Sequence, residues 1–328
     1  MSDQETMLHD MTTALFGALG HGATLAEAWP RIEELGLPDL LVSEAEGGFG
    51  GSWQDALTVF RQAGFNALAI PVPEAILAAH IGAPLGFRGR GTLASSSSGQ
   101  VAEGTFEGTL HGVAAAAGAS FVVAPIDGGG SLIIDIGDIP ATEARTISGE
   151  ARDVVEVSGR KAARSDSDIF KLAAFARAAQ IAGALDAALA VSTNYVNQRK
   201  QFGRTLAKFQ AIQQNLATFA SEAAAANCAA MAAAQALDRQ AASFEIAAAK
   251  LRCNQAVGIG TAIAHQVHGA IGFTQEYGLH PLTRRLWAWR SEYGNDSHWA
   301  AFLGSHVCKR GADKFWPDLT ALTDPVAS

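Results

Sequence analysis

The stretch Arg199-Lys200-Gln201-Phe202-Gly203-Arg204, followed by Phe209-Gln210, joins two long runs that are rich in alanine. A glycine costs about 1 kcal/mol in a helix interior, so Gly203 predicts a break between two helices. Arginines beside such a break can bind an anion, because a guanidinium donates two parallel hydrogen bonds to a phosphate. Taken alone, the residues favour a plainer interpretation: two solvated arginines at a helix corner, with Phe202 as a plug in the core.

The sequence on both sides of this corner predicts a helical bundle. No proline occurs between Pro140 and Pro281, and strong helix formers such as Ala, Leu, Gln and Lys dominate. Three or four long helices are therefore predicted over residues 168–265, with shorter ones to about residue 313. Apolar residues at helical spacing predict one buried face: Phe209, Ile212, Leu216 and Phe219.

Two blocks of this region resemble the acyl-CoA dehydrogenase family. Arg-Lys-Gln-Phe-Gly at 199–203, with Phe-Gln seven residues after the phenylalanine, is similar to one family signature. The segment His-Gly-Ala-Ile-Gly-Phe-Thr-Gln-Glu-Tyr at 268–277 is similar to the family's Gly-rich segment. The resemblance implies a mainly α fold with a small β domain: an N-terminal helical domain (1–85), a short middle β domain (86–160) and a C-terminal four-helix bundle (161–328).

Residues 86–160 change in character, because Gly, Ser, Thr and Val become more frequent. A small antiparallel β domain is predicted here, with a hairpin turn at Asp127-Gly128-Gly129-Gly130 and an exposed loop at Ser95–Ser98. The predicted strands are Val101–Leu110, Ser120–Ile126, Ser131–Ile136 and Val154–Val157. Upstream, Ser52 is the predicted N-cap of a helix over Trp53–Ala63.

Bulk properties exclude some classes of function. The formal net charge of −8, without a basic block, disfavours a nucleic-acid partner. Cys228, Cys253 and Cys308 are odd in number and lack metal-ligand spacing, so they predict free thiols and no metal site. The acidic N-terminus does not resemble a signal peptide, and the apolar run 223–237 is too short for a membrane span. Cytoplasmic location, without a membrane partner, is the expectation.

The resemblance implies an FAD-dependent oxidation of an acyl-CoA thioester. A carboxylate removes the α proton, a β hydride passes to FAD, and the FAD lies between two chains. One chain holds the flavin between its β domain and its bundle, and the neighbouring chain holds the ADP half. For the second role the resemblance assigns Arg199 to the pyrophosphate and places further residues near it: Gln201, Phe202 and Gln210, with Gln266, Gly269 and Ala270 at the adenosine end.

The half of the site that would serve the chain's own flavin lacks its family pattern. Residues 86–160 contain neither the Thr-Glu…Gly-Ser-Asp loop nor the Trp-Ile-Thr-Asn strand. An ungapped count from Phe273 brings Tyr293 to the position of the family's catalytic Glu, with Glu292 one residue earlier. One residue turns a helical side chain by about 100°. The family's alternative position for the base falls near Ala173, where no carboxylate stands.

These losses predict a half-site subunit of an acyl-CoA dehydrogenase, one chain of an α2β2 assembly. Its homologous partner would carry the catalytic Glu, its substrate would be an acyl-CoA such as a bulky steroid-CoA, and its electron acceptor would be electron-transferring flavoprotein. Three alternatives stay open: a self-sufficient homo-oligomeric enzyme using Glu292 as base, a flavin-free scaffold of the same fold, and a helical structural protein unrelated to the family. The sequence favours Glu292 as a charged residue beside Arg290 over Glu292 as the base.

Overall fold

A computed structural model of the protein describes residues 3–240 and 242–321, with side chains from residue 6 onward. The outer limits of the predicted domains, residues 1 and 328, lie outside the described residues. Four helices precede the first strand: α1 (Asp3–Leu19), α2 (Leu25–Glu34), α3 (Trp53–Phe65) and α4 (Val72–Gly82).

The start of α3 confirms the predicted N-cap. The Ser52 hydroxyl accepts from the Asp55 amide at 3.1 Å, and the Asp55 carboxylate accepts from the Ser52 amide at 2.8 Å. This capping box satisfies two of the free amides at the helix start.

A seven-stranded sheet follows, in the order β1-β4-β5-β7-β3-β2, with β6 paired to β7. The strands are β1 (Gly91–Leu93), β2 (Ser96–Ala102), β3 (Thr105–Val113), β4 (Phe121–Pro125), β5 (Ser131–Asp135), β6 (Ala141–Thr142) and β7 (Asp153–Ser165). The predicted hairpin at residues 127–130 is confirmed, because it joins the antiparallel pair β4 and β5.

The sheet corrects three details of the sequence prediction. It is mixed and not purely antiparallel, because β1 pairs with β4 in parallel. The predicted strand Val101–Leu110 is a hairpin of β2 and β3, which turns at Glu103 and Gly104 with φ of +50° and +75°. The predicted loop Ser95–Ser98 instead opens β2, because its polar backbone pairs with β3 from Ser96 onward.

The bundle consists of α5 (Ile169–Gln198), α6 (Gln210–Asp238) and α7 (Ser243–His268), closed by α8 (Leu279–Ser291), α9 (Asp296–Arg310) and α10 (Ala312–Ala321). The helix break at Gly203 is confirmed, since a two-stranded hairpin of β8 (Lys200–Gln201) and β9 (Arg204–Thr205) separates α5 from α6. Of the four apolar residues predicted to form a buried face on α6, only Phe219 is fully buried.

Helix α5 is the central element of the fold. A Cβ at Gly64 of α3 would lie 2.0 Å from the Gln180 carbonyl oxygen of α5, so glycine permits the two backbones to touch. By length and composition α5 is the one helix in the described ranges that could cross a membrane. However, 78% of its most apolar window is buried inside the protein, as expected of a core helix.

Candidate functional site

The β8–β9 hairpin presents the arginine-rich corner to solvent. Phe202 and Gly203 form its two-residue turn, with φ of +50° and +74°. Positive φ values at both central residues match the twist of a hairpin, but they strain a residue that has a Cβ. Phe202 is 90% exposed, so the interpretation of this ring as a core plug is wrong. A strained backbone that holds a bare aromatic ring outward indicates a contact surface.

Aromatic contacts bring the Gly-rich segment to the same end of the bundle. The Tyr195 ring, near the end of α5, stacks on His268 at the end of α7 with centroids 4.5 Å apart. The Tyr195 hydroxyl also donates to the His268 carbonyl at 3.3 Å. Because α5 and α7 end side by side, Arg199 and Gly269, the residues that follow them, lie at one end of the molecule.

The seven residues that the resemblance assigns to FAD are accessible to a ligand at this end of the bundle. Each is exposed, and within the described ranges the polar side chains of Arg199, Gln201, Gln210 and Gln266 make no hydrogen bond. Gly269 has φ +64°, and nothing lies within 4 Å of the place where a Cβ would be. Exposed cations, free amides and an open backbone fit the diphosphate and adenosine half of FAD. The sequence prediction assigned these contacts, and this geometry supports them.

Glu292 lies in a different place, where it joins a buried ionic network. Its Oε2 accepts from Arg177 Nε at 2.7 Å and from Arg152 Nη2 at 3.0 Å. Arg177 Nη2 also contacts Glu74 Oε1 at 2.5 Å. The interpretation that placed Glu292 beside Arg290 is wrong, because Arg290 pairs with Asp296 at 2.9 Å.

The network extends through Glu150 and balances its charges. Glu150 accepts from the indole of Trp289 at 3.1 Å and lies 3.5 Å from Arg285 Nε. Three carboxylates thus face three guanidiniums. The six residues are Glu74 of α4, Glu150 and Arg152 before β7, Arg177 of α5, Arg285 of α8 and Glu292 after α8. Buried charges are tolerated when they are paired and hydrogen-bonded in this way.

The network keeps Glu292 ionised. Burial alone would raise the pKa of its carboxyl group, but the charges of Arg177 and Arg152, which also donate hydrogen bonds to it, lower that pKa to about 2. A carboxylate held so strongly as an anion is a poor base, since a general base works best when its pKa is near the operating pH.

The stability that Glu292 provides is expected to depend on pH. Its folded pKa lies below the ordinary value of 4.5, so its contribution is complete above about pH 4.5 and disappears as the pH falls toward 2. In denaturant titrations, wild type and Glu292→Gln should therefore differ by roughly 3 kcal/mol at pH 6. The difference should shrink between pH 4.5 and 2; a constant difference over that range would contradict the lowered pKa.

The region around the family's two base positions is closely packed. Ala173 and Tyr293 line one small gap together with Glu74, Leu77 and Arg177. The volume open to a water-sized molecule in this gap is about 0 Å³. Burial raises the pKa of the Tyr293 phenol above its ordinary value of 10. Neither position offers a basic group or room for a thioester.

Lys250 of α7 donates hydrogen bonds that hold the turn carrying Glu292 and Tyr293. The buried ammonium donates to Asn254 Oδ1 at 2.8 Å and to the carbonyls of Trp289, Arg290 and Gly294 at 3.1 Å each. Burial lowers the pKa of this lysine to about 7. Neither Lys250 nor the network partners of Glu292 were predicted from the sequence, although a charge inside an apolar run, as in Ala-Ala-Ala-Lys250-Leu, was a usable signal.

The seven residues assigned to FAD, from here on called the cofactor corner, lie far from the network on one chain. Arg177 and Arg199 are separated by 22 residues of continuous helix, which corresponds to about 33 Å. One FAD could not bring the corner and Glu292 of the same chain into one active site.

A cleft opens between the sheet and the bundle, with a volume of about 730 Å³. The sheet side of the cleft is lined by Ser96, Gln100 and Arg164, and the bundle side by Phe170 and His298. Its size falls within the range of ligand pockets. The sequence predicts no flavin-holding segment in this part of the chain, yet the cleft is large enough to hold a ligand.

Comparison with known proteins finds relatives among the acyl-CoA dehydrogenases. Residues 163–297 match the family model "Acyl-CoA dehydrogenase, C-terminal domain". The acyl-CoA dehydrogenase FadE34 of Mycobacterium tuberculosis is 28% identical over an alignment of 305 residues, which covers 84% of this chain and 42% of FadE34. The chain therefore spans less than half the length of that relative.

Two solved structures have the same fold over nearly the whole chain. The ChsE4–ChsE5 complex of Mycobacterium tuberculosis has a TM-score of 0.83 and 19% identity, covering 95% of this chain and 99% of the other. The Tcur3481–Tcur3483 steroid ACAD has a TM-score of 0.83 and 21% identity, covering 94% and 98%. Residues 163–297 therefore match the C-terminal domain of the acyl-CoA dehydrogenases, whose relatives here are FAD-dependent flavoproteins, and the chain has the acyl-CoA dehydrogenase fold over nearly its whole length.

Proposed function

We propose that this chain is the non-catalytic subunit of a heteromeric acyl-CoA dehydrogenase. The observation that carries the proposal is the contrast between its two regions. The side chains of the cofactor corner are exposed and free, whereas the region of the catalytic base is filled by a charge-balanced network. A chain built in this way can complete a cofactor site on a neighbour without carrying out the reaction itself.

The corner would bind the ADP half of an FAD held by a homologous partner subunit. Arg199 would neutralise the diphosphate, while the amides of Gln201, Gln210 and Gln266 would donate to its oxygens or to the adenosine. Bound there, FAD would supply the acceptor for the β hydride of the acyl-CoA, and the partner's own carboxylate would take the α proton, leaving a double bond between the two carbons. No carboxylate of this chain takes part in that step.

Known relatives support an assembly of two related units. ChsE4–ChsE5 was solved as a complex, and FadE34 is more than twice as long as the stretch that this chain matches. On this basis we assign an α2β2 architecture. The steroid ACAD among the structural relatives favours an acyl-CoA with a bulky steroid acyl group as substrate. Electron-transferring flavoprotein is the electron acceptor that the family implies.

The Arg199→Ala variant tests the cofactor contact. Loss of one hydrogen-bonding partner of a charged group costs about 1.5–3 kcal/mol, which corresponds to a roughly 10- to 150-fold weaker affinity for FAD. The fold should be unaffected, because the Arg199 side chain is exposed and has no partner among the described residues. Flavin absorbance per mole of purified complex, after dialysis, gives the occupancy.

Arg239→Ala is the matched control. Arg239 is also exposed, but it follows the opposite end of α6, about 43 Å from Gln210 by helix rise. Equal flavin occupancy in both variants, with assembly intact, would return Arg199 to the role of a solvated surface residue.

A second function is favoured by the 730 Å³ cleft between sheet and bundle. In this alternative the chain forms a homo-oligomer, holds its own FAD in that cleft and uses Glu292 as the base. It requires Glu292 to leave both arginines before it can accept a proton. Stoichiometric FAD in the chain purified alone would favour this alternative over the half-site role.

A further inference from the structure

The cofactor corner lies within an unusual distribution of charge. Residues 187–221 contain no Asp or Glu, yet they contain four cations, in a chain whose formal net charge is −8. The four are Arg199, Lys200, Arg204 and Lys208. All are exposed, and none forms an ion pair within the described ranges. The most positive part of an acidic protein is therefore concentrated at one corner.

The chain itself offers little to balance this charge. The Gly-rich segment packs at the same end, since Tyr277 contacts Tyr195 with centroids 5.8 Å apart. Its carboxylate, Glu276, is exposed and forms no ion pair in the described part of the chain. One carboxylate cannot neutralise four cations, so an excess of positive charge faces outward.

We propose that this corner docks onto an acidic rim around the cofactor site of the homologous partner subunit. The inference rests on the proposed function and names the chemistry of the partner surface. Arg199 is assigned to the diphosphate, whereas Lys200 and Lys208 project from the hairpin and the turn after it and meet what surrounds the cofactor. Complementary charge across an interface accelerates association and excludes wrong partners, which matters when two related chains must pair.

The choice of variants follows from the contacts. The Arg204 guanidinium stacks over the Phe209 ring at 4.1 Å, so its loss would also disturb the hairpin. Lys200 and Lys208 make no aromatic contact of that kind in the described ranges. The double variant Lys200→Ser/Lys208→Ser therefore removes two positive charges without removing such a contact. The control is Lys309→Ser with Lys314→Ser, two exposed lysines of α9 and α10.

The control pair lies at the opposite end of the bundle. His306 of α9 contacts Phe244, at the start of α7, with centroids 5.7 Å apart. The cofactor corner lies at the other end of α7, about 36 Å away by helix rise. Both double variants change the net charge equally, so non-specific effects of charge are matched.

The experiment measures the dissociation constant of the complex between 50 and 500 mM NaCl. The probe is a homologous acyl-CoA dehydrogenase chain from the same organism, loaded with FAD and carrying the catalytic glutamate. We expect wild-type binding to weaken at least tenfold over this range. The Lys200/Lys208 variant should bind roughly five- to tenfold more weakly at 50 mM and show a flatter salt dependence. The Lys309/Lys314 control should match wild type within about twofold.

The outcomes separate this inference from the function on which it rests. A complex that forms and holds FAD, but has the same salt dependence in wild type and in the Lys200/Lys208 variant, overturns the acidic rim alone. Equal weakening by both double variants overturns it too, because total charge would then be the cause. The absence of any wild-type complex at 50 mM overturns the half-site role as well.

Discussion

Replacement of Arg177 by methionine is expected to lower the free energy of unfolding by about 3–5 kcal/mol. Arg177 is buried and joins Glu74 of α4 to Glu292 after α8, at 2.5 and 2.7 Å. Methionine fills much of the volume but leaves both carboxylates without their main partner. The cost arises from those uncompensated charges more than from the loss of attraction.

Urea denaturation of the complex at pH 7 measures this effect, and Arg61→Met is the matched control. Arg61 pairs with Asp186 at 3.1 Å, but the two side chains are 43% and 31% exposed. A pair so accessible to water contributes at most about 1 kcal/mol. If Arg177→Met cost no more than Arg61→Met, the buried network would not contribute the stability that its ion pairs imply.

The second large effect concerns catalysis. We expect Glu292→Gln to leave turnover of the assembled complex within a few-fold of wild type, although this carboxylate lies one residue from the family's base position. It is held by two arginines, and its pKa is lowered to about 2, so it has little tendency to accept a proton. The equivalent change of the partner's catalytic glutamate should abolish turnover, because a general base contributes at least ~10²-fold.

Turnover is to be compared at equal FAD content and below the melting temperature of the variant, since loss of Glu292 also weakens the network. Under those conditions stability and chemistry separate. A fall of a hundredfold in Glu292→Gln, with flavin and oligomeric state unchanged, would make this chain a catalytic subunit.

The parts of the fold that local sequence determines were predictable. A helix breaker between two alanine-rich runs gave the corner at Gly203, and a serine before an apolar run gave the cap at Ser52. Three glycines after an aspartate gave the β4–β5 hairpin. In each case the residues and their immediate neighbours decide the conformation, so no distant partner was needed.

Features that depend on distant partners were not predictable in the same way. The serines at 95–98 read as a loop, but pairing with β3 makes most of them strand, because β structure depends on the neighbour more than on intrinsic preference. Phe202 looked like a core residue, and only the hairpin geometry places its ring in solvent. The ionic network joins residues from position 74 to position 292, and no local pattern pairs them.

The candidate site was predictable only in part. The resemblance assigned the corner residues, and the structure gathers them at one end of the bundle, exposed and free. The resemblance could not show that Glu292 pairs with Arg152 and Arg177, since the ungapped count gave the position of Glu292 but not its contacts. The charged residues embedded in α4, α5 and α7 were the signal that sequence reasoning left unused.

The flavin content of the chain, alone and in complex, tests the central claim most directly. The chain is purified by itself and after co-expression with a homologous acyl-CoA dehydrogenase chain from the same organism, and the visible absorbance spectrum of each preparation is recorded. The half-site role predicts little or no flavin in the chain alone and one FAD for each pair of unlike chains in the complex. A stoichiometric yellow protein from the chain alone would contradict that role and favour an FAD site in its own cleft.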